Sequence, residues 1–173
     1  MNAEQKIERT ARLLERLDIA FRLARHAPAH TMEACAEVAR SINALIPKNL
    51  LLCPRNESAF TLLIMRPEIR FCTSLVSRRL ESPRLGFADE GRMMEKLMAA
   101  PGAAGPLGLL LTGQRDVALA LDERLKEAEE LAFHPSENTA SLAMSRRDFE
   151  EKLLPALGVP VRWISVEQEE IGC

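Results

Sequence analysis

The sequence predicts an α+β fold: a single domain with a mixed β-sheet and surrounding helices. Three observations carry that expectation. The chain has 173 residues, enough for one compact core and short for two. Hydrophobic residues make up 47% and charged residues 28%, an ordinary globular composition. Strand-like and helix-like segments are interspersed without a strict βαβ rhythm, and no repeat or linker divides them.

Taken in order, residues 3–17 predict an amphipathic helix, with Ile7, Ala11, Leu14 and Leu17 on one face. Arg9, Arg12 and Arg16 line another face; a solvated surface is the default for them, a basic stripe for nucleic acid the sharper alternative. Residues 20–28 read as a short strand ending at Pro28, and 31–42 as a helix with Thr31 as N-cap. "LIPKNLLLCPRNESAFTLLIM" reads as a β-hairpin: strands at 49–53 and 59–65 flank the polar turn "PRNES". Residues 72–80 are helical in pattern, 84–88 a short strand, and 89–99 a helix whose acidic start suits the macrodipole. An apolar run at 109–112 follows the Gly/Pro-rich stretch 100–108. Then come a strand at 116–121, a helical turn at 122–128, and strands at 130–134 and 139–144. Ser145 and Asp148 have the spacing of a capping box at the start of the last helix, and 160–164 closes the fold as a strand.

Composition excludes several classes. Aromatic residues are only 4%, with one Trp and no Tyr, so stacking platforms for single-stranded nucleic acid are scarce. The net charge of -2 argues against bulk attraction to phosphate; a nucleic-acid partner must be met by a local patch or pocket. Cys35, Cys53, Cys72 and Cys173 include no CxxC pair and no histidine at metal-ligand spacing, so no metal site is expected. Cys53 and Cys72 read as small core residues in a reduced, cytoplasmic setting. The charged N-terminal segment lacks the apolar core of a signal peptide, and no apolar run approaches a membrane span.

Three features carry candidate chemistry. Lys48-Asn49 opens a strand where something cheaper to bury is usual; the pair either caps the strand at the surface or edges a ligand pocket. "PGAAGP" offers a bare backbone whose amides can form an oxyanion-binding concavity, or it merely ends the preceding helix. His134, followed by Pro135 and near Asn138 and Thr139, reads as a ligand, a base or a turn residue. His26 and His30 are expected to have surface roles. No GxSxG elbow, GxxxxGK[ST] loop or GxGxxG loop is present, so an enzyme of this sequence would work by positioning and electrostatics.

Together, "IPKNLLLCPRNESAFTLLIM", "GAAGPLGLL" and "FHPSENTASLAMSRRDFEEKLLPALG" resemble the YbaK/prolyl-tRNA editing domain family of aminoacyl-tRNA deacylases. Within it they look like the free-standing branch of alanyl-tRNA(Pro) deacylases. The resemblance spans residues 21–164. Residues 1–20 form a helix outside it, and 165–173 a C-terminal tail. It implies a YbaK-like editing fold with a pocket on one side of the sheet. It also implies that Lys48, Gly102 and Gly105 serve catalysis, and that Asn49, Ala103, Ala104, Pro106, His134 and Asn138 bind substrate. Lys48 would meet the terminal adenosine or the ester, and the GxxxP loop 102–106 would face the scissile carbonyl.

The implied activity is trans-editing: hydrolysis of mischarged tRNA(Pro), chiefly alanyl-tRNA(Pro), by water with help from the substrate's 2′-hydroxyl. It needs no protein nucleophile and no cofactor. The implied partners are the tRNA acceptor end and prolyl-tRNA synthetase, with no membrane. Relatives commonly carry serine where this chain has Gly105, which leaves substrate preference open. A non-catalytic module that binds aminoacyl-tRNA or a nucleotide is the alternative, and an interaction domain without a pocket is a third.

Overall fold

The hairpin that the sequence announces forms the middle of the larger of two sheets. The computed structural model describes residues 1–29 and 31–167. His30, Cys173 and the rest of the tail from 168 onward lie outside the described residues.

Helix α1 (Ala3–Arg16) begins in a full capping box between Asn2 and Gln5 and buries Ile7 and Leu14. Strand β1 (Phe21–Arg25) ends three residues before Pro28. Helix α2 (Met32–Ile42) is capped by Thr31, whose hydroxyl accepts from Ala34 N–H at 3.1 Å. Next come β2 (Lys48–Pro54), β3 (Phe60–Met65), α3 (Thr73–Arg79), β4 (Leu85–Phe87) and α4 (Glu90–Leu97). Helix α5 (Pro106–Thr112) starts on the proline itself, which suits a position whose N–H would be unbonded anyway. The run expected only at 109–112 is thus the end of a helix. Strand β5 (Val117–Asp122), a 3-10 turn (Glu123–Glu127), β6 (Glu130–Phe133) and β7 (Ala140–Ser145) follow. A continuous helical run at 146–157, α6, has a π turn at Phe149–Leu153, and β8 (Val161–Ile164) closes the fold. Ser145 caps α6 by accepting from Asp148 N–H at 3.0 Å, while the Asp148 carboxylate pairs with Lys152 instead of closing a capping box.

The strands divide into two sheets where one was expected. The order β4-β2-β3-β5-β8 makes a mixed sheet, antiparallel at β4/β2 and β2/β3 and parallel at β3/β5 and β5/β8. The order β1-β7-β6 makes a smaller antiparallel sheet. The class remains α+β with a mixed principal sheet. Residues 62–65 of β3 read as an unbroken apolar run because both faces of the strand are buried there. Leu62 and Ile64 enter the main core with Leu14, Leu119 and Phe133, whereas Leu63 and Met65 enter a second cluster with Val76 and Ala120. Each such side chain contributes roughly 1.5–3 kcal/mol by leaving water.

Leu45 joins the two sheets. It accepts from Ala132 N–H at 2.8 Å and donates to Glu130 C=O at 3.0 Å, both on β6, and three residues later the same chain enters β2. The seam between the sheets therefore carries Ile46, Pro47, Lys48 and Asn49. Helix α1 is part of this core despite standing outside the expected domain. Leu14 is fully buried, and Lys6 Nζ donates to Ser136 C=O at 3.3 Å and to Glu137 at 2.7 Å, tying α1 to the loop after β6.

Candidate active site

A cavity of about 260 Å³ lies at the seam. Pro47, Lys48, Asn49 and Leu50 line it from the start of β2, Gly102 and Ala104 from the glycine loop, and His134 from the end of β6. The far wall is Thr31 and Cys35 of the α2 segment, with Ala29 and Pro67. Five of the residues expected at the site thus meet around one space. A wider groove of about 450 Å³ beside the end of α2 is lined by Arg40, Arg66, Glu127 and Glu130, none of them an expected site residue.

Lys48 is partly buried, and its Nζ donates to Ile69 C=O at 2.6 Å. That bond fixes the ammonium of a cavity-lining residue and uses one of its three donors. The strand opens with a lysine because the strand start is the cavity rim. Asn49 donates from Nδ2 to Pro47 C=O at 3.0 Å, which orients the amide. Its Oδ1 is buried and has no hydrogen-bond partner among the described residues. An unmet buried acceptor costs about 1–3 kcal/mol, a cost that a donor on a ligand would remove.

The glycine loop reaches the cavity by its backbone. Gly102 has a φ of +85°, the left-handed region that side chains resist. Ala103 N–H closes a turn onto Ala100 C=O at 3.0 Å. The amides of Gly102, Ala104 and Gly105 have no hydrogen-bond partner among the described residues. Gly105 is buried behind the cavity wall rather than lining it; a Cβ there would stand 3.6 Å from the His134 carbonyl oxygen and 3.9 Å from Asn49 Oδ1. Ala103 and Pro106 are also buried, and neither lines the cavity. Nor does Asn138, whose carbonyl accepts from Ala29 N–H at 3.2 Å and so supports the wall at Ala29.

His134 is 5% exposed. Its Nδ1 lies 2.8 Å from Ala140 C=O, and a carbonyl only accepts, so Nδ1 carries the proton. Burial holds the imidazole below the ordinary histidine pKa, the Ala140 bond opposing this and the nearby His26 adding to it. The neutral ring therefore keeps a lone pair on Nε2. His26 is half-buried and hydrogen-bonded to Ser141, which corrects the expectation of a simple surface residue. The wall at Thr31, Cys35 and Pro67 had no sequence signal, since each reads as an ordinary cap, helix or loop residue.

Burial pushes the Cys35 and Cys53 thiols up, which disfavours the nucleophilic thiolate. Among the described residues no group of three or more His, Cys, Asp or Glu side chains is placed to hold a metal ion. The cavity thus brings together one cation, the Asn49 and His134 acceptors, and two lining residues, Gly102 and Ala104, whose amides are unbonded among the described residues. That set can hold a small polar group and stabilise charge on an oxygen.

Comparison with known proteins shows the family to which the fold belongs. The fold is similar to a crystal structure solved as a candidate trans-editing enzyme for prolyl tRNA synthetase, with a TM-score of 0.73 at 17% identity, covering 95% of this chain and 98% of that one. Residues 26–152 match the aminoacyl-tRNA editing domain, and the chain belongs to that family. It is a hydrolase of the aminoacyl-tRNA deacylase class. It is 28% identical over 145 residues to the prolyl-tRNA editing protein ProX of Acetoanaerobium sticklandii, covering 84% of this chain and 88% of the relative. It is 31% identical over 140 residues to prolyl-tRNA synthetase associated domain-containing protein 1 of Xenopus laevis, covering 79% and 83%.

Proposed function

We propose that this chain is a trans-acting editing hydrolase that clears mischarged tRNA(Pro), with alanyl-tRNA(Pro) as its principal substrate. The names of its relatives support the tRNA, and the small cavity supports a small amino acid. The error it would correct is physically expected. A synthetase pocket shaped for proline rejects a smaller residue weakly, because each missing methylene is worth only about 1–3 kcal/mol. A second, smaller site that hydrolyses what fits restores accuracy.

The observation that carries the reading is the meeting of Lys48, Asn49, the loop amides and His134 around one cavity at the sheet seam. In this reading Lys48 holds the terminal adenosine by phosphate or ribose, and Asn49 Oδ1 takes a hydrogen bond from the substrate's α-ammonium. The loop amides stabilise the oxyanion as water adds to the ester carbonyl. The bond to the ribose 3′-oxygen then breaks, and the proton of the water reaches that oxygen with help from the 2′-hydroxyl. No protein nucleophile takes part. The reaction belongs in the cytoplasm beside translation, with prolyl-tRNA synthetase as the source of the substrate.

The test is release of amino acid from tRNA(Pro) charged with alanine, cysteine, serine or proline, with alanyl-tRNA(Ala) as a control. The reading expects rapid release from alanyl-tRNA(Pro) and spontaneous rates from prolyl-tRNA(Pro). Faster release from another member of the panel would reassign the amino acid. Binding to every charged tRNA without release would make the chain a binding module.

A further inference from the structure

We propose that His26 and Ser141 are positioning residues that lock the His134 ring with its proton on Nδ1, so that Nε2 faces the cavity as a hydrogen-bond acceptor for the substrate. The inference rests on the reading of the cavity as the editing site.

His26 lies just past β1, beside the start of β7, and its N–H donates to Thr139 C=O at 3.0 Å. Its ring Nδ1 is 2.9 Å from the carbonyl of Ala27, so that nitrogen carries the proton. The neutral ring then has only a lone pair on Nε2, which is 2.9 Å from Ser141 Oγ. The serine hydroxyl must therefore donate to His26. Its hydrogen used there, Ser141 Oγ turns a lone pair toward His134 Nδ1, 3.3 Å away. The Nδ1 proton of His134 thus has two acceptors, Ala140 C=O at 2.8 Å and Ser141 Oγ.

Ser141 is completely buried, so no solvent competes for its rotor. Were its hydrogen aimed at His134 instead, the imidazole would have to shed its Nδ1 proton and set a lone pair against the Ala140 carbonyl. His26 excludes that state by holding the serine hydrogen. The two rings, 5.7 Å apart, act through one hydroxyl although 108 residues separate them in sequence.

The test is two-bond 1H–15N correlation of the full chain with labelled histidine, which reads the tautomer of each ring, together with deacylation kinetics. The wild type should show neutral His134 protonated on Nδ1. His26→Leu removes the acceptor and should raise the Nε2-protonated fraction of His134 about two- to tenfold, the weight of one net hydrogen bond. It should lower kcat while melting within a few degrees of the wild type. His26→Gln, whose amide oxygen can accept from Ser141, should restore both readouts. In a Ser141→Ala background, adding His26→Leu should change nothing further, since the link is gone. An unchanged His134 tautomer in His26→Leu would overturn the proposal, and so would a further shift when His26→Leu is added to Ser141→Ala. The tautomer is read without substrate. Failure of the wild type to deacylate any charged tRNA(Pro) would therefore sink the editing reading alone.

Discussion

The two sides of the cavity are built in opposite ways. On the β6–β7 side, His134 is fixed by bonds to Ala140 and Ser141, and the loop after it is tied down by Lys6 and by Ser136, whose hydroxyl donates to Leu97 C=O at 2.7 Å. On the glycine-loop side, one turn bond and a left-handed glycine shape the backbone, and three amides are left unbonded among the described residues. The difference teaches which wall orients and which wall binds. A fully bonded ring can aim one lone pair and little else. Amides left without partners cost stability and are worth keeping where a substrate oxygen will meet them.

Lys48 belongs to both descriptions, because its bond to Ile69 fixes an ammonium that still has donors to offer. Lys48→Ala should slow deacylation at limiting substrate about tenfold to a hundredfold, as loss of a charged hydrogen bond to the bound adenosine does. Losing the bond to Ile69 should cost about 1.5 kcal/mol, a fall of several degrees in Tm. Single-turnover rates beside melting curves separate the two effects; full activity in the variant would remove Lys48 from the site.

The oriented wall should show itself in pH dependence. Burial depresses the His134 pKa in the folded chain, so between that value and the unfolded value the unfolded state binds more protons. The stability linked to His134 is present above the ordinary histidine pKa of about 6.5 and is lost as pH falls through the folded value. Within that window stability should rise with pH, with a slope below the one-proton limit of ~1.4 kcal/mol per pH unit. His134→Gln should flatten this part of the curve of unfolding free energy against pH. Equal slopes in the two proteins would mean that His134 is not held neutral.

The bare wall should tolerate small additions behind it. Gly105→Ser puts Cβ at ordinary contact distances, and its hydroxyl can reach Asn49 Oδ1. The variant should gain about 0.5–1.5 kcal/mol by satisfying that acceptor and should lose some affinity for the α-ammonium. A rise in Tm with an altered ratio of alanine to serine release would fit; a drop in Tm would show that Asn49 Oδ1 is not the unmet group. The smallest effect is expected at Cys35. Its Sγ lines the wall and lies 3.8 Å from Ala29 C=O, with its thiol pushed up by burial, so Cys35→Ser should stay within a few-fold of wild-type activity.

Much of this was legible in sequence where the signal is local. The hairpin, the Thr31 and Ser145 caps and the unusual Lys48-Asn49 start can each be read within a few residues. The sheet division cannot, because "FRLAR" and "ASLAMS" alternate like any half-buried strands, and their pairing, Phe21 opposite Met144, is settled by distant packing. The helix opening at Pro106 was obscured because its first turn is also the glycine loop. Helix α1 stood outside the matched segments, yet it fills the core and holds the His134 loop. The His26–Ser141 contact joins residues that no spacing rule relates.

The central claim is that the glycine loop acts on the substrate and is not only a stop for α4. Gly102 and Gly113 provide a matched pair for testing it. Both have left-handed φ, +85° and +70°, and both have open space where a Cβ would go. Only Gly102 lines the cavity. Alanine at either position should strain the backbone by about 1–2 kcal/mol. The decisive measurement is single-turnover hydrolysis of alanyl-tRNA(Pro) by Gly102→Ala and Gly113→Ala beside their melting temperatures. The account expects similar losses of Tm, wild-type chemistry in Gly113→Ala, and a slowing of about tenfold to a hundredfold in Gly102→Ala as its amides leave the oxyanion position. Equal rates in the two variants would contradict it.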